Sequence, residues 1–223
     1  MAERPWIFLT NTFEVRTRKS NRKMLSLVTD THAKLKAELA DPEILQMFNL
    51  LDPAYDSYRQ ICINYDVAKG DYRGDTLAFK NLINGMSVEV RKWESAVRAV
   101  YVEDSAEEAA IFPHKRNPFL KSTYESRLSA IGTLAEQLAG IPALSAAHVM
   151  VQSFYNQALS TRLAQQEEEG DLAKQSDLRE NQRVVVAKAL YGVLGLLMCK
   201  YRENPEEIDR YFDLSLLRIK SVQ

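Results

Sequence analysis

Val184-Val-Val-Ala-Lys-Ala-Leu-Tyr-Gly-Val-Leu-Gly-Leu-Leu-Met-Cys199 is the stretch on which the fold of this 223-residue chain turns. Lys188 is its only charge, and apolar side chains fall on every side of the helical wheel. A helix that is hydrophobic all round has to be enclosed by other elements or by lipid. At sixteen residues the stretch is shorter than the roughly 20 that cross a bilayer, and no other segment reads as a membrane span. It is therefore expected as the central rod of a helical bundle, with Gly192 and Gly195 admitting close neighbours.

Other seams supply the partners for that rod. Phe79, Ile83, Met86, Val90, Trp93, Val97 and Val100 recur in steps of four and three, which gives a continuous apolar stripe for a packing helix. Tyr124, Leu128, Ile131, Ala135 and Leu138 form a second stripe, and Leu144, Ala147, Val151, Phe154, Ala158 and Thr161 a third. Met24, Leu27, Val28, Leu35 and Leu39 mark an earlier helix.

Boundaries come from capping chemistry. Asp41-Pro42, Asp52-Pro53 and Asn204-Pro205 each place an oxygen-bearing side chain at N-cap and proline at the first helical position, where its missing N–H costs nothing. Leu51-Asp52-Pro53 argues against one helix through 41–70, because the residue before proline is pushed out of the helical region. Gly70 with Gly74, and Gly170 with Asp171, predict turns. Ser105 with Glu108 and Ser122 with Glu125 have the spacing of capping boxes. The expected long helices are 22–40, 53–69, 75–102, 122–139, 142–169 and 171–202, with short ones at 42–50 and 205–212. Pro42–Leu50 and Pro205–Leu214 echo each other faintly, which implies one capped short helix closing each half rather than a duplicated domain.

The ends read differently. Ile7, Leu9, Phe13 and Val15 alternate with more polar residues, as do Leu217 and Ile219 in the tail, and a period of two suggests short extended or β-like arms. The expected organisation is an extended basic arm over 1–20, a single helical-bundle domain over 21–213 with a loop at 111–121 between two halves, and an extended tail over 214–223.

Composition excludes several classes. Apolar residues make up 46% and charged residues 26%, ordinary for a globular chain, and the net charge of −1 exerts no global pull on nucleic acid or acidic lipid. Cys62 and Cys199 sit in apolar helical contexts and make no disulfide framework, which points to a reducing compartment and a cytoplasmic protein. The N-terminal apolar run is too short for a signal peptide. Di-iron bundles carry Glu-x-x-His, but Thr29, Ile111 and Ser145 stand three residues before His32, His114 and His148. No phosphate-binding glycine loop, nucleophile elbow or paired-cysteine motif appears, so no cofactor, metal or catalytic residue is expected.

Two groups of residues remain as candidate contacts. Arg16, Arg18, Lys19, Arg22 and Lys23, joined by His114, Lys115 and Arg116, form a candidate anion or nucleic-acid site whose binding would weaken with salt. Their blander reading is a solvated helix start and a polar loop pinned by Phe112 and Phe119. Tyr55, Tyr58, Tyr65 and Tyr72 form a candidate interaction face; at helical spacing such a stripe is also an ordinary packing face. His148, beside the Leu144–Val151 face, reads as a half-buried packing residue.

The expectation is an all-α, up-and-down multi-helix bundle with short capped corner helices. Its expected function is non-enzymatic: an assembly or adaptor protein, self-associating or holding a protein partner through helical faces and extended ends. Nucleic-acid binding through 16–23 and 114–116 is the first alternative. The second is an apolar small-molecule or lipid site beside Gly192 and Gly195, and the third is a membrane-active protein that unpacks 184–199 into lipid.

Overall fold

The computed structural model describes residues 10–17 and 20–217, and every regular element among them is helical. The helices are α1 (Thr12–Thr17), α2 (Asn21–Lys36), α3 (Pro42–Arg98), α4 (Ala106–Ile111), α5 (Asn117–Leu120), α6 (Tyr124–Ala139) and α7 (Ser145–Lys200), with short 3-10 segments at Pro142–Leu144, Pro205–Arg210 and Leu214–Leu217. Among the described residues, those up to 68 with those from 172 onward make one compact unit and 69–171 a second. Residues 21–213 thus contribute to both.

In the first unit, Met24, Leu27, Val28 and Leu35 of α2 meet Ile44, Met47, Leu51 and Tyr58 of α3 and Val186, Leu190, Val193 and Leu197 of α7. Lys200 binds Asp41 Oδ2 at 2.6 Å, and the Arg179 guanidinium lies 3.3 Å from the centre of the Tyr65 ring. Those pairings run α3 and α7 antiparallel here. Residues 11–13 and 211–212 are built into the same core. Phe13 stacks on Phe212 at 5.2 Å, Asn11 Nδ2 donates to the Ala187 carbonyl, and the Tyr211 hydroxyl donates to Glu38 Oε2 at 2.6 Å.

In the second unit, the Phe79–Val97 seam packs against Ile131, Leu134, Ala135 and Leu138 of α6 and Ala147, Val151 and Ala158 of α7. Trp93 is fully buried, edge-on to Phe119 at 6.3 Å and to Phe154 at 5.4 Å. Gln165 Nε2 donates to Thr76 Oγ1 at 3.1 Å, again an antiparallel pairing of α3 with α7.

Several expectations need correction. The break at 51–53 is absent: Pro53 lies inside α3. Proline there costs one backbone hydrogen bond and a clash with the preceding turn, but Ile44, Met47, Leu51 and Tyr58 form one uninterrupted buried stripe across it. Tertiary burial outweighs the local breaker. The turns at 70–74 and 170–171 are absent too, since α3 and α7 run through them. The expected arm over Phe13 and Val15 is helix α1, and Leu214–Leu217 is a 3-10 turn; the rest of both arms, 1–9 and 218–223, lies outside the described residues. The cap at 122 moves by one, because Thr123 Oγ1 accepts from Ser126 N while Ser122 Oγ donates to the Pro118 carbonyl.

The central stretch is only half enclosed. Val186, Ala187, Leu190, Val193 and Leu197 are buried, whereas Val185 is 47% and Met198 57% exposed. Gly192 does admit a neighbour, since a Cβ there would meet Leu50 Cδ2 at 3.0 Å, but Gly195 faces open space. Because α7 is unbroken, it holds an 18-residue window of mean hydropathy 1.4 and passes a membrane-span test of length and composition that the sixteen-residue stretch alone does not. A share of 33% of that window is buried.

The helical glycines make a direct test. A Cβ at Gly70, Gly74 or Gly170 meets nothing within 4 Å, and none of the three has positive φ. Alanine at each position is expected to stabilise by about 0.5–1 kcal/mol through lower unfolded-chain entropy and better helix propensity. Urea titration of the single variants checks this; a loss of stability would mean that the chain turns at these positions.

Candidate functional site

A groove with exposed apolar residues on its wall lies on the second unit. There α3 presents Asn81, Leu82, Gly85 and Glu89, and α7 presents Val149, Met150 and Ser153, around a groove of about 600 Å³. The helical period explains it. The seam residues Ile83, Met86 and Val90 turn inward, as does Val151, so their neighbours on the wheel point out. Val149 is 64% and Met150 41% exposed, and Val88 beside the groove is 54% exposed. At Gly85 no side chain fills the floor. Chemically the groove offers aliphatic contact and the Phe154 ring with the amides of Asn81 and Gln157, a hydroxyl and one carboxylate, the last held by Lys92 at 2.7 Å.

The second feature is a charge cluster at the C-terminal end of α3. Arg98 reaches Glu94 at 3.3 Å, Glu103 at 2.7 Å and Glu108 at 2.7 Å, and Arg116 binds Glu94 through Nε and Nη2. Glu108 also accepts from the Asp104 amide at 2.6 Å, while Ser105 Oγ caps α4 at the Glu108 amide. The Arg98 hydrogen bond, then the Asp104 amide, hold the Glu108 carboxyl below its ordinary value. Glu94 and Glu108 are both buried, so the cluster pins 98–116 back onto α3.

The expected site residues fall in different units. The side chains of Arg16, Arg18 and Lys19 lie outside the described residues; Arg22 is exposed and Lys23 half-buried at the start of α2. His114, Lys115 and Arg116 belong to the other unit, where Arg116 is committed to Glu94 and Lys115 lies 3.4 Å from Asp104. Of the tyrosines, Tyr58 is fully buried with its hydroxyl on Asn21, Tyr55 stacks on His32 at 4.2 Å, Tyr65 lies under Arg179, and Tyr72 is half-buried. Burial is the first cause raising the Tyr58 phenol well above its ordinary value. Three of the four rings therefore pack inside the first unit.

Sequence reasoning missed two polar anchors. His32 Nε2 and Asp52 Oδ1 are 2.7 Å apart, joining α2 to α3; twenty residues separate them, and no spacing rule links them. Arg183 is buried, gripping Glu180 with Nε and Nη2 and donating from Nη1 to the Glu14 carbonyl and Thr17 Oγ1, both at 3.2 Å. Its place directly before the apolar stretch is the one available signal. Among the described residues no group of His, Cys, Asp and Glu is arranged to hold a metal ion. No family model, no curated protein and no solved structure matches this chain.

Proposed function

We propose that this chain is a non-enzymatic assembly or adaptor protein, built from up-and-down helical packing, that binds a protein partner or a second copy of itself through a helical face. The observation that supports this reading is the groove between α3 and α7 of the second unit, with Val149 and Met150 on its wall. Exposed apolar patches rimmed by polar residues mark interaction sites, and a groove between two helices takes the apolar face of a third. The setting proposed is the cytoplasm, where the free thiols Cys62 and Cys199 stay reduced.

Val149→Glu with Met150→Glu tests the reading. Both side chains are exposed, so the change is expected to move monomer stability by less than about 0.5 kcal/mol. If they anchor an interface, association weakens by about 2 kcal/mol or more, roughly thirtyfold. Sedimentation equilibrium of the wild-type chain and the variant reads self-association, and affinity capture followed by mass spectrometry reads a partner. A wild-type chain that is monomeric and captures nothing the variant loses would remove the proposal. The arms are tested by deleting 1–9 and 218–223. A longer deletion through Val15 removes Phe13 from the core and is expected to unfold the first unit.

A further inference from the structure

Residues 111–119 fold back over α6 and leave a second, smaller cavity of about 180 Å³ in the second unit. Its wall is apolar and largely buried: Phe112, Phe119 and Leu134, flanked by Pro113 and Pro118. An apolar cavity of about 150 Å³ admits a benzene molecule, so this one has room for a single ring or a branched chain of similar size. His114, Lys115, Thr133 and Gln137 line it as well, and all four are exposed.

The backbone over the cavity is strained in a specific way. Lys115 has φ 50° and Asp104 φ 61°, the non-glycine residues with positive φ among those described. Such conformations cost free energy and cluster where a loop has a task. The two residues face each other, but Lys115 Nζ stands 3.4 Å from Asp104 Oδ1, with both side chains 73% exposed. A charge-assisted hydrogen bond of full strength is about 2.7–2.9 Å long. Lys115 thus lines an apolar cavity from a turn of positive φ and donates to Asp104 Oδ1 at the long end of hydrogen-bond distance. Arg116, one residue on, is turned away and committed to Glu94.

We propose that this cavity binds a small amphipathic carboxylate, its ring or branched chain against Phe112, Phe119 and Leu134 and its carboxylate on the Lys115 ammonium. The Thr133 hydroxyl and the Gln137 amide supply further donors. Asp104 then acts as a competing internal anion, which sets the affinity. This inference is independent of the groove between α3 and α7 and stands or falls without it.

The test uses the full chain and two probes, phenylacetate and its neutral isostere phenylacetamide. Trp93, whose ring is 6.3 Å from that of Phe119, reports occupancy by fluorescence, and ligand-observed NMR gives an independent readout. For a ligand of this size a dissociation constant on the order of millimolar is expected, with the acid at least about tenfold tighter than the amide. Asp104→Asn frees the cation and is expected to tighten phenylacetate severalfold without moving the amide; asparagine tolerates the left-handed turn. Lys115→Asn, chosen for the same tolerance, is expected to abolish the preference for the acid. Thr133→Trp, at an exposed helical position, blocks the mouth and weakens both probes. Absence of saturable binding by either probe overturns the assignment. So does equal affinity for acid and amide, or an acid affinity unmoved in both charge variants.

Discussion

Trp93→Ala is expected to cost the second unit about 4 kcal/mol, the range for deleting a fully buried aromatic side chain from a packed core. Trp93 has no exposed surface and meets Phe119 and Phe154 edge-on, so it ties α3 to α5 and to α7 at once. The surrounding Val90, Val97, Ile131 and Val151 are themselves buried and leave little room for collapse around the void. Amide hydrogen exchange is the suitable readout, because it resolves local opening within one chain. Amides of the Phe79–Val97 seam and of α6 are expected to exchange about a thousandfold faster, the factor that 4 kcal/mol implies at 25 °C. Amides near Leu190 and Val193, in the core of the first unit, report whether the two units open separately. A loss below about 1 kcal/mol would show that Trp93 is not the centre of its core.

Arg98→Met is expected to lower the melting temperature at pH 7 and to lose that effect in acid. Arg98 bridges Glu94, Glu103 and Glu108, and its removal leaves the buried Glu108 carboxylate with the Asp104 amide as its remaining short contact. The sign follows from the lowered Glu108 value. A carboxyl group that ionises more readily folded than unfolded contributes stability above its ordinary value of 4.5, and that contribution is lost as pH falls through the lower folded value. The wild-type chain therefore loses this stabilisation in acid while the variant never has it. The gap in melting temperature is expected to be widest near neutral pH and to close below about pH 4. Glu108→Gln should reproduce the neutral-pH loss. A gap of constant size across pH would mean that Arg98 acts through packing alone.

Much of the architecture was legible because apolar periodicity reports burial directly. Phe79, Ile83, Met86, Val90, Trp93 and Val97 are buried as their spacing predicts, and so are Ile131, Ala135 and Leu138 and Leu144, Ala147 and Val151. The cap at Asp41 also holds, its Oδ1 accepting from Glu43 N at 2.9 Å and Ile44 N at 3.3 Å. Helix breaks were less legible. Proline and glycine act on the local chain, with penalties of a few kcal/mol at most; Pro53 is overridden by a stripe that buries on both sides of it, and α3 and α7 run through Gly70 and Gly170 without positive φ. The groove at Leu82, Val149 and Met150 was illegible for a related reason: periodicity marks the face that is buried, not how fully a neighbour covers the flanks.

By itself, the sequence determined that the described residues are predominantly helical and where most of their seams lie, because each depends on residues within a turn or two of one another. Only the tertiary structure decided that α3 and α7 run unbroken, that Phe13 and Phe212 close the first core, and that Lys115 stands over a cavity while Arg116 is held by Glu94. Those outcomes depend on side chains far apart in the chain, and free energy from such contacts outweighs the local preferences that a linear reading records.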